Sequence, residues 1–225
     1  MTTLTPEHMH TFIAELRQIA PKRPLSYGQS LAVARIQATK LRSWVKADRP
    51  DINLVWLLNQ TAVPVNLVPS HELSEESGLT TDLISGKLEM YLNQSEPAQR
   101  QRFSLLHEFK HALDFVDADL LHAALGSGNR KVQADQIELI ANEFAGQVLM
   151  PKRLVVTAWK KTENLALVAE LFNVSAEAMK TRLTKLGLIG EAKPRPRSYF
   201  RSHGQPLMVG DGLIDRYTFE DEVAA

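Results

Sequence analysis

Apolar residues spaced three or four positions apart recur along most of the chain and predict a largely helical protein. The first predicted helix covers residues 6–19 and ends before Pro21. The second begins after Ser26, because Gln29 three positions later completes a capping box. This second helix covers residues 26–44. Further helices are predicted over residues 50–58, 102–115, 132–150, 153–159, 165–172 and 176–186.

Extended segments are predicted between the helices at 50–58 and 102–115. Residues 63–68 alternate apolar with polar or imino positions, which is typical of a strand. Two further strands, at 80–84 and 87–92, are predicted to pair as a hairpin around a tight turn at Ser85 and Gly86.

Composition narrows the chemistry that this chain can carry. It contains no cysteine, so disulfides and thiolate metal sites are excluded, and any zinc must be held by His and carboxylate ligands. The 26 basic and 26 acidic residues balance, so no global field indicates a nucleic acid or an acidic membrane. Residues 1–20 lack the features of a signal peptide, and no apolar stretch approaches the roughly 20 residues of a membrane span. We therefore expect a cytoplasmic protein.

One predicted helix carries a pattern that fits a catalytic metal. His107, Glu108 and His111 form the pattern H-E-x-x-H. Residues four apart lie on the same helix face, so both imidazoles can reach one ion. Glu108 is rotated to the side, where it can take a proton from water that the metal acidifies. The alternative is a solvated helix face that holds no ligand.

The next long helix offers the third ligand that a catalytic zinc needs beside its open position. Glu138 lies on that helix, and Asn142 follows four residues later on the same face. An asparagine there can hydrogen-bond the free nitrogen of a ligand imidazole and fix its tautomer. Asp135 and Glu143 are the rival ligands, but Asp135 is shorter and nearer the loop, and Glu143 points away from that face.

Two blocks of the sequence resemble the signatures of a known family. The first block is R-Q-R-F-S-L-L-H-E-F-K-H at residues 100–111. The second is E-L-I-A-N-E-F-A at residues 138–145, followed by V-L-M-P at residues 148–151. Residues 90–93 resemble the strand that precedes the active-site helix in the same family. These blocks resemble the ImmA/IrrE family of metallo-endopeptidases.

The resemblance covers residues 63–188 and implies an α+β fold with a zincin-like metallopeptidase core, in which a small mixed sheet lies beside two metal-binding helices. One departure is Lys110, where the family often has Gly, and it leaves substrate preference open. The resemblance implies that His107, His111 and Glu138 bind zinc. It also implies that Glu108 is the general base and that Asn142 supports a ligand.

Members of the ImmA/IrrE family typically cleave or inactivate a repressor-type DNA-binding protein, under stress or during induction of mobile elements. Some are paired with such proteins in toxin–antitoxin-like modules. The resemblance therefore implies a zinc endopeptidase that acts on a repressor- or antitoxin-like protein and so affects transcription regulation. The alternative is a catalytically weak or inactive zinc-binding module that controls a partner protein or DNA by binding.

The segment after the second metal-binding helix suggests another partner. Residues 165–172 and 176–186 flank a turn that contains Ser175, a good capping residue, and they resemble a helix-turn-helix. Residues 152–201 hold 11 basic and 4 acidic residues, a local excess of seven positive charges. A helical hairpin packed under the active site is the favoured interpretation, because the whole chain is neutral and few base-reading residues occupy the second helix. Direct DNA binding is the less favoured hypothesis.

The oxyanion of a peptidase reaction also needs a donor besides zinc. Tyr91, His122, Tyr199 and His203 are candidates, and the sequence places none of them in the cleft. Asp114 lies three residues after His111. A role in supporting a metal ligand and a solvated position are equally favoured for it.

These predictions divide the chain into four parts. They are a helical N-terminal segment packed on the core (1–60), the zincin-like catalytic core (61–151), a helical hairpin or helix-turn-helix-like segment (152–190), and a linker with a C-terminal tail (191–225).

Overall fold

The structure, a computed structural model, describes residues 6–59, 63–69, 77–81 and 88–190. Over these ranges the fold is α+β, as the sequence predicts. The helices are α1 (Pro6–Gln18), α2 (Tyr27–Trp44), α3 (Val55–Leu58), α4 (Ala98–Asp114), α5 (Ala118–Leu121), α6 (Arg130–Leu149), α7 (Lys152–Thr162), α8 (Leu165–Leu171) and α9 (Ala176–Lys185). Short 3-10 turns flank α5, at Phe115–Asp117 and Leu125–Gly128. The strands are β1 (Val65–Val68), β2 (Ser77–Thr81) and β3 (Leu88–Asn93).

The sheet is mixed, with β3 between the other two strands. β1 runs parallel to β3, and β2 runs antiparallel to it. This confirms the small mixed sheet that the family resemblance implies and the antiparallel pairing of β2 with β3. β2 begins at Ser77, three residues before the predicted start. The predicted turn at Ser85 and Gly86 lies outside the described residues.

Capping side chains fix the ends of two long helices. The predicted capping box of α2 is present: the Gln29 backbone donates to the Ser26 hydroxyl at 3.4 Å, and the Ser26 backbone donates to the Gln29 side chain at 3.1 Å. Asn129 caps α6 by accepting from two backbone N–H groups of the first turn. Because of this cap, α6 begins at Arg130, two residues before the predicted start.

The helix predicted over residues 50–58 is reduced to α3. Ile52 and Leu54 are both buried, at 1% and 4% exposure, so this segment enters the core in an irregular conformation. The Asn53 side chain then accepts a hydrogen bond from the Val55 backbone N–H, and α3 begins there. Burial of two apolar side chains therefore outweighs the local helical signal.

α6 is the central helix and packs against both α2 and α4. Phe109 of α4 and Phe144 of α6 are fully buried, with ring centroids 6.3 Å apart. Ala141 and Ala145 are also buried, and their small size permits close approach of neighbouring helices. This packing fixes α4 and α6 side by side. None of the described helices combines the length and apolar composition that a membrane span requires.

Candidate metal centre

Three ligand-type side chains from α4 and α6 converge on one point. Nε2 of His107 lies 3.0 Å from Nε2 of His111 and 3.0 Å from Oε2 of Glu138. Nε2 of His111 lies 3.5 Å from Oε1 of Glu138. The imidazoles are partly buried, whereas the Glu138 side chain is 57% exposed. The group therefore lies at the edge of the core with one side open to solvent.

The spacing of these atoms fits a zinc ion. Zinc binds imidazole nitrogen and carboxylate oxygen at about 2.0–2.2 Å in tetrahedral geometry, which places neighbouring ligand atoms roughly 3.3–3.6 Å apart. The three observed separations are 3.0, 3.0 and 3.5 Å, so two of them must lengthen by a few tenths of an ångström around an ion. Among the residues that the structure describes, the group has three ligands and an open side, which leaves a fourth position as in catalytic zinc sites. The donor set thus fits a catalytic zinc.

Asn142 lies where it can orient one of the imidazoles. Its Oδ1 is 3.0 Å from Nδ1 of His107. When a neutral imidazole carries its proton on Nδ1, that N–H donates to the amide oxygen and Nε2 keeps its lone pair. That lone pair is on the nitrogen that faces His111 and Glu138. The contact between α4 and α6 therefore positions the His107 ring and favours the tautomer that leaves Nε2 free.

The electrostatics of the cluster favour positive charge. Burial opposes a charge on His107, but the hydrogen bond to Glu138 and the negative charges of Glu108 and Glu138 outweigh it and raise the pKa of His107. Hydrogen bonds from His107 and His111 hold the pKa of Glu138 far below its usual range. A point in the structure that favours a proton in this way also favours a cation.

Glu108 lies beside the cluster without being one of its members. Its side chain is buried, at 6% exposure, and its charge acts on His107. The three ligand-type residues are His107, His111 and Glu138, and Glu108 is not among them. The structure thus places the Glu138 carboxylate in the group and the Glu108 carboxylate outside it.

The rival ligands do not join the group. Oε1 of Glu143 accepts a hydrogen bond from Nε of Arg35 at 2.9 Å, and Lys185 and Arg182 lie within 4.0 Å of the same carboxylate. Asp135 is exposed on α6. Glu143 therefore belongs to an ion-pair network on another side of α6, as its helical phase indicates.

A buried ion pair lies on α4, the helix that also carries His107 and His111, and sequence reasoning missed it. Nζ of Lys110 is 2.6 Å from Oδ1 of Asp114, and Nε2 of His122 is 3.4 Å from Oδ2. Burial opposes the charge of Asp114, but Lys110 and His122 outweigh it and lower the pKa of this carboxyl. Lys110, at the position where the ImmA/IrrE family often has Gly, is thus buried and paired with Asp114. The spacing of four residues between Lys110 and Asp114 was the available signal.

The candidates for an oxyanion donor have other contacts or are not described. His122 contacts Asp114, and the Tyr91 hydroxyl donates to Oε2 of Glu89 at 2.9 Å. Tyr199 and His203 lie outside the described residues.

Comparisons with known proteins identify the family. The family model for the IrrE N-terminal-like domain, Peptidase_M78, matches residues 68–184, slightly more than half of the chain. No curated protein matches. A transcriptional regulator of Mycobacterium tuberculosis is a structural neighbour, with 14% identity, a TM-score of 0.48, and coverage of 86% of this chain and 54% of the regulator. The chain thus spans about half the length of that regulator. The match over residues 68–184 shows that the chain belongs to the IrrE N-terminal-like domain family of metallopeptidase-like proteins.

Proposed function

We propose that this protein is a zinc-dependent endopeptidase in which His107, His111 and Glu138 hold the metal and Glu108 is the general base. The observation that carries the proposal is the convergence of three ligand atoms within 4.8 Å of one another, beside a buried carboxylate on the same helix. A structural zinc site would need a fourth protein ligand. The open side of this group instead suits catalysis.

Each residue of the centre has its own task. A zinc ion held there would acidify water and polarise a peptide carbonyl. Glu108 takes a proton from the attacking water and returns it to the leaving amine. Asn142 holds the His107 ring so that Nε2 faces the centre. The reaction consumes one water and one peptide bond, so no further cofactor is needed.

The substrate that we propose is a repressor- or antitoxin-like DNA-binding protein. This part rests on the resemblance of residues 100–111 and 138–151 to the ImmA/IrrE family. Cleavage of such a protein would make the enzyme a regulator of transcription without any contact of its own with DNA. One basic residue of the C-terminal helices supports a function without DNA contact. Arg182 of α9 is buried and donates to the Met150 carbonyl at 2.9 Å, so its charge is used inside the fold and not on a DNA-binding surface.

Metal content and cleavage test the proposal together. We expect about one zinc per chain in wild type and in Glu108→Gln, and a clear loss of zinc in Glu138→Ala. Asp135→Asn, a change of an exposed α6 acid outside the group, is the matched control and should keep the metal. Absence of zinc from the wild type after reconstitution would exclude the metallopeptidase.

The substrate class is tested by mapping new protein N-termini in cells that express wild type or Glu108→Gln. New termini on a DNA-binding repressor that appear with wild type alone support the proposed reaction. Identical termini in both cultures would show that Glu108 is not the base. A His107→Ala phenotype combined with a silent Glu108→Gln would favour the non-cleaving zinc module.

A further inference from the structure

Large apolar side chains are exposed immediately after the helix that carries the two imidazoles. Phe115, Val116 and Leu120 are 49%, 66% and 39% exposed, and all three lie within six consecutive positions. Exposed apolar residues are ordinarily scattered singly, whereas a group of neighbouring ones often marks a binding surface. We call these three residues the rim patch. It lies in the segment that leads from His111 of α4 towards Glu138 of α6.

The first residue of the rim patch continues the helix face that carries the imidazoles. The Phe115 backbone N–H donates to the His111 carbonyl, and Phe115 has helical φ and ψ angles of −48° and −46°. Phe115 thus follows His111 by four residues in helical geometry, as His111 follows His107, so the three side chains share one face. Four residues advance about 6 Å along a helix. The exposed ring of Phe115 therefore lies one turn from the candidate metal centre.

The neighbouring helix leaves this ring accessible. His107 contacts Asn142, and His111, one turn later, lies near Glu138, one turn earlier, so α4 and α6 run antiparallel. The next turn of α4, at Phe115, therefore faces the turn of α6 before Glu138, which contains exposed residues. A peptide that approaches the exposed Glu138 side of the centre can contact the Phe115 ring.

The rim patch lies in an acidic segment. Residues 115–121 contain Asp117 and Asp119 and no Lys, Arg or His. Arg17 of α1 lies near Asp117, whereas Asp119 is exposed and takes part in none of the ion pairs between described residues. Apolar area next to a negative charge fits a peptide segment that is both apolar and basic. DNA-binding proteins use Lys and Arg to contact phosphates, so the proposed substrate class supplies basic segments.

We propose that the rim patch binds an apolar, basic segment of the protein substrate and that Phe115 contacts a substrate side chain close to the bond that is cut. This inference rests on the proposed function, since the occupant is the substrate of the metal centre. Side chains on one face of an extended peptide repeat every two residues, or roughly 6.6 Å. That spacing is close to the roughly 6 Å between His111 and Phe115 along α4.

A peptide that follows α4 past the metal centre therefore meets Phe115 with a side chain two or three positions from the cleaved bond. The ring favours an apolar side chain at that position, because two apolar surfaces leave water together, whereas a polar group would lose its hydration without a partner. Phe115 is thus a specificity-determining residue of the proposed reaction.

Fluorescence anisotropy of two labelled peptides tests the rim patch without cleavage. One probe is a basic decapeptide with Leu-Phe at its centre, and the other has Ser-Ser at the same place. We expect the full chain, carrying Glu108→Gln to prevent turnover, to bind the Leu-Phe probe about tenfold tighter than the Ser-Ser probe. Phe115→Ala should reduce that ratio to about twofold or less, and Phe115→Leu should retain most of it. Asp119→Asn should weaken both probes about two- to threefold, since both are basic.

The matched control is Leu171→Ala, because Leu171 on α8 is also 49% exposed and lies outside the rim patch. It should leave the ratio of affinities at the wild-type value. An unchanged ratio in Phe115→Ala, or an equal reduction in Leu171→Ala, would overturn the proposal. So would a wild-type dimer that Phe115→Ala dissociates in light scattering, because a second copy of the chain would then cover the rim patch.

Cleavage of a mixed peptide library by the zinc-loaded chain locates the contact relative to the cut bond. We expect apolar residues to be enriched two or three positions from that bond, and Phe115→Ala to abolish the enrichment. For one selected peptide, Phe115→Ala should raise KM about five- to tenfold and leave kcat within about twofold, because it removes a binding contact.

Anisotropy with and without zinc separates the two possible failures. A chain that takes up no zinc but still prefers the Leu-Phe probe through Phe115 would refute the peptidase and retain the rim patch as a peptide-binding surface. A zinc-loaded chain that cleaves the library with the same preference in Phe115→Ala as in wild type would retain the peptidase and overturn the role of Phe115.

Discussion

Nδ1 of His107 lies 3.0 Å from Oδ1 of Asn142, so the helix that supplies Glu138 also orients the imidazole opposite it. Asn142 is one helical turn after Glu138 on α6, and His107 belongs to α4. This contact joins the sequence blocks at residues 100–111 and 138–151 across the α4–α6 interface. α6 presents a carboxylate toward the centre and an amide toward the back of a centre imidazole.

We expect Asn142→Ala to weaken zinc binding about 10- to 100-fold, because the His107 ring loses the acceptor that fixes its tautomer. Competition with a coloured chelator measures this affinity. Asn142→Asp retains a carboxyl oxygen at the same place and should restore most of the binding. Equal losses in both variants would show that Asn142 contributes to packing and not to ring orientation.

Glu108→Gln should lower kcat/KM for the identified substrate about 10²- to 10⁴-fold, the usual contribution of a general base. The amide has nearly the same shape but cannot accept the proton of the attacking water. Zinc content, measured on the same preparation, should remain at the wild-type level. A variant that retains more than about half of the wild-type activity would assign proton transfer to another group.

Lys110→Met should lower the free energy of unfolding by about 3–5 kcal/mol, because it leaves the buried Asp114 carboxylate without its closest cation. Lys110→Met/Asp114→Leu removes both charges and should recover most of that loss. Urea denaturation of the metal-free proteins measures both. A double variant as unstable as the single one would show that Lys110 contributes by packing alone.

Glu143 should make the protein more stable above pH 5 than in acid. Burial opposes its charge, but Arg35, Arg182 and Lys185 outweigh it, so its pKa in the folded protein lies below the ordinary 4.5. A lowered folded-state pKa gives a stabilisation that is complete above the unfolded-state pKa and is lost as pH falls through the folded-state value.

Glu143→Gln should therefore reduce the loss of stability between pH 5 and 3, measured by urea denaturation of the metal-free protein. Glu170→Gln, a change of an exposed acid on α8, is the control and should follow the wild-type pH profile. The same slope in Glu143→Gln and wild type would show that this ion-pair network does not contribute to acid denaturation.

The local features of this protein can be predicted from its sequence alone. The period of an α-helix is enough to place His107 beside His111, and Glu138 on one face with Asn142. The capping box at Ser26 and Gln29 is also local, since its partners are three residues apart. The α+β class and the mixed sheet followed from these patterns together with the family resemblance.

Contacts between side chains that are far apart in the sequence depend on the tertiary fold. Arg35 contacts Glu143 over 108 residues, and Arg42 comes near Arg153 only because the ends of α2 and α6 meet the start of α7. Lys110 is buried because α4 turns that position toward a packed neighbour. The residue type alone does not predict this burial. Such contacts depend on how helices pack, and packing is decided by the shape of the whole core and not by the local period.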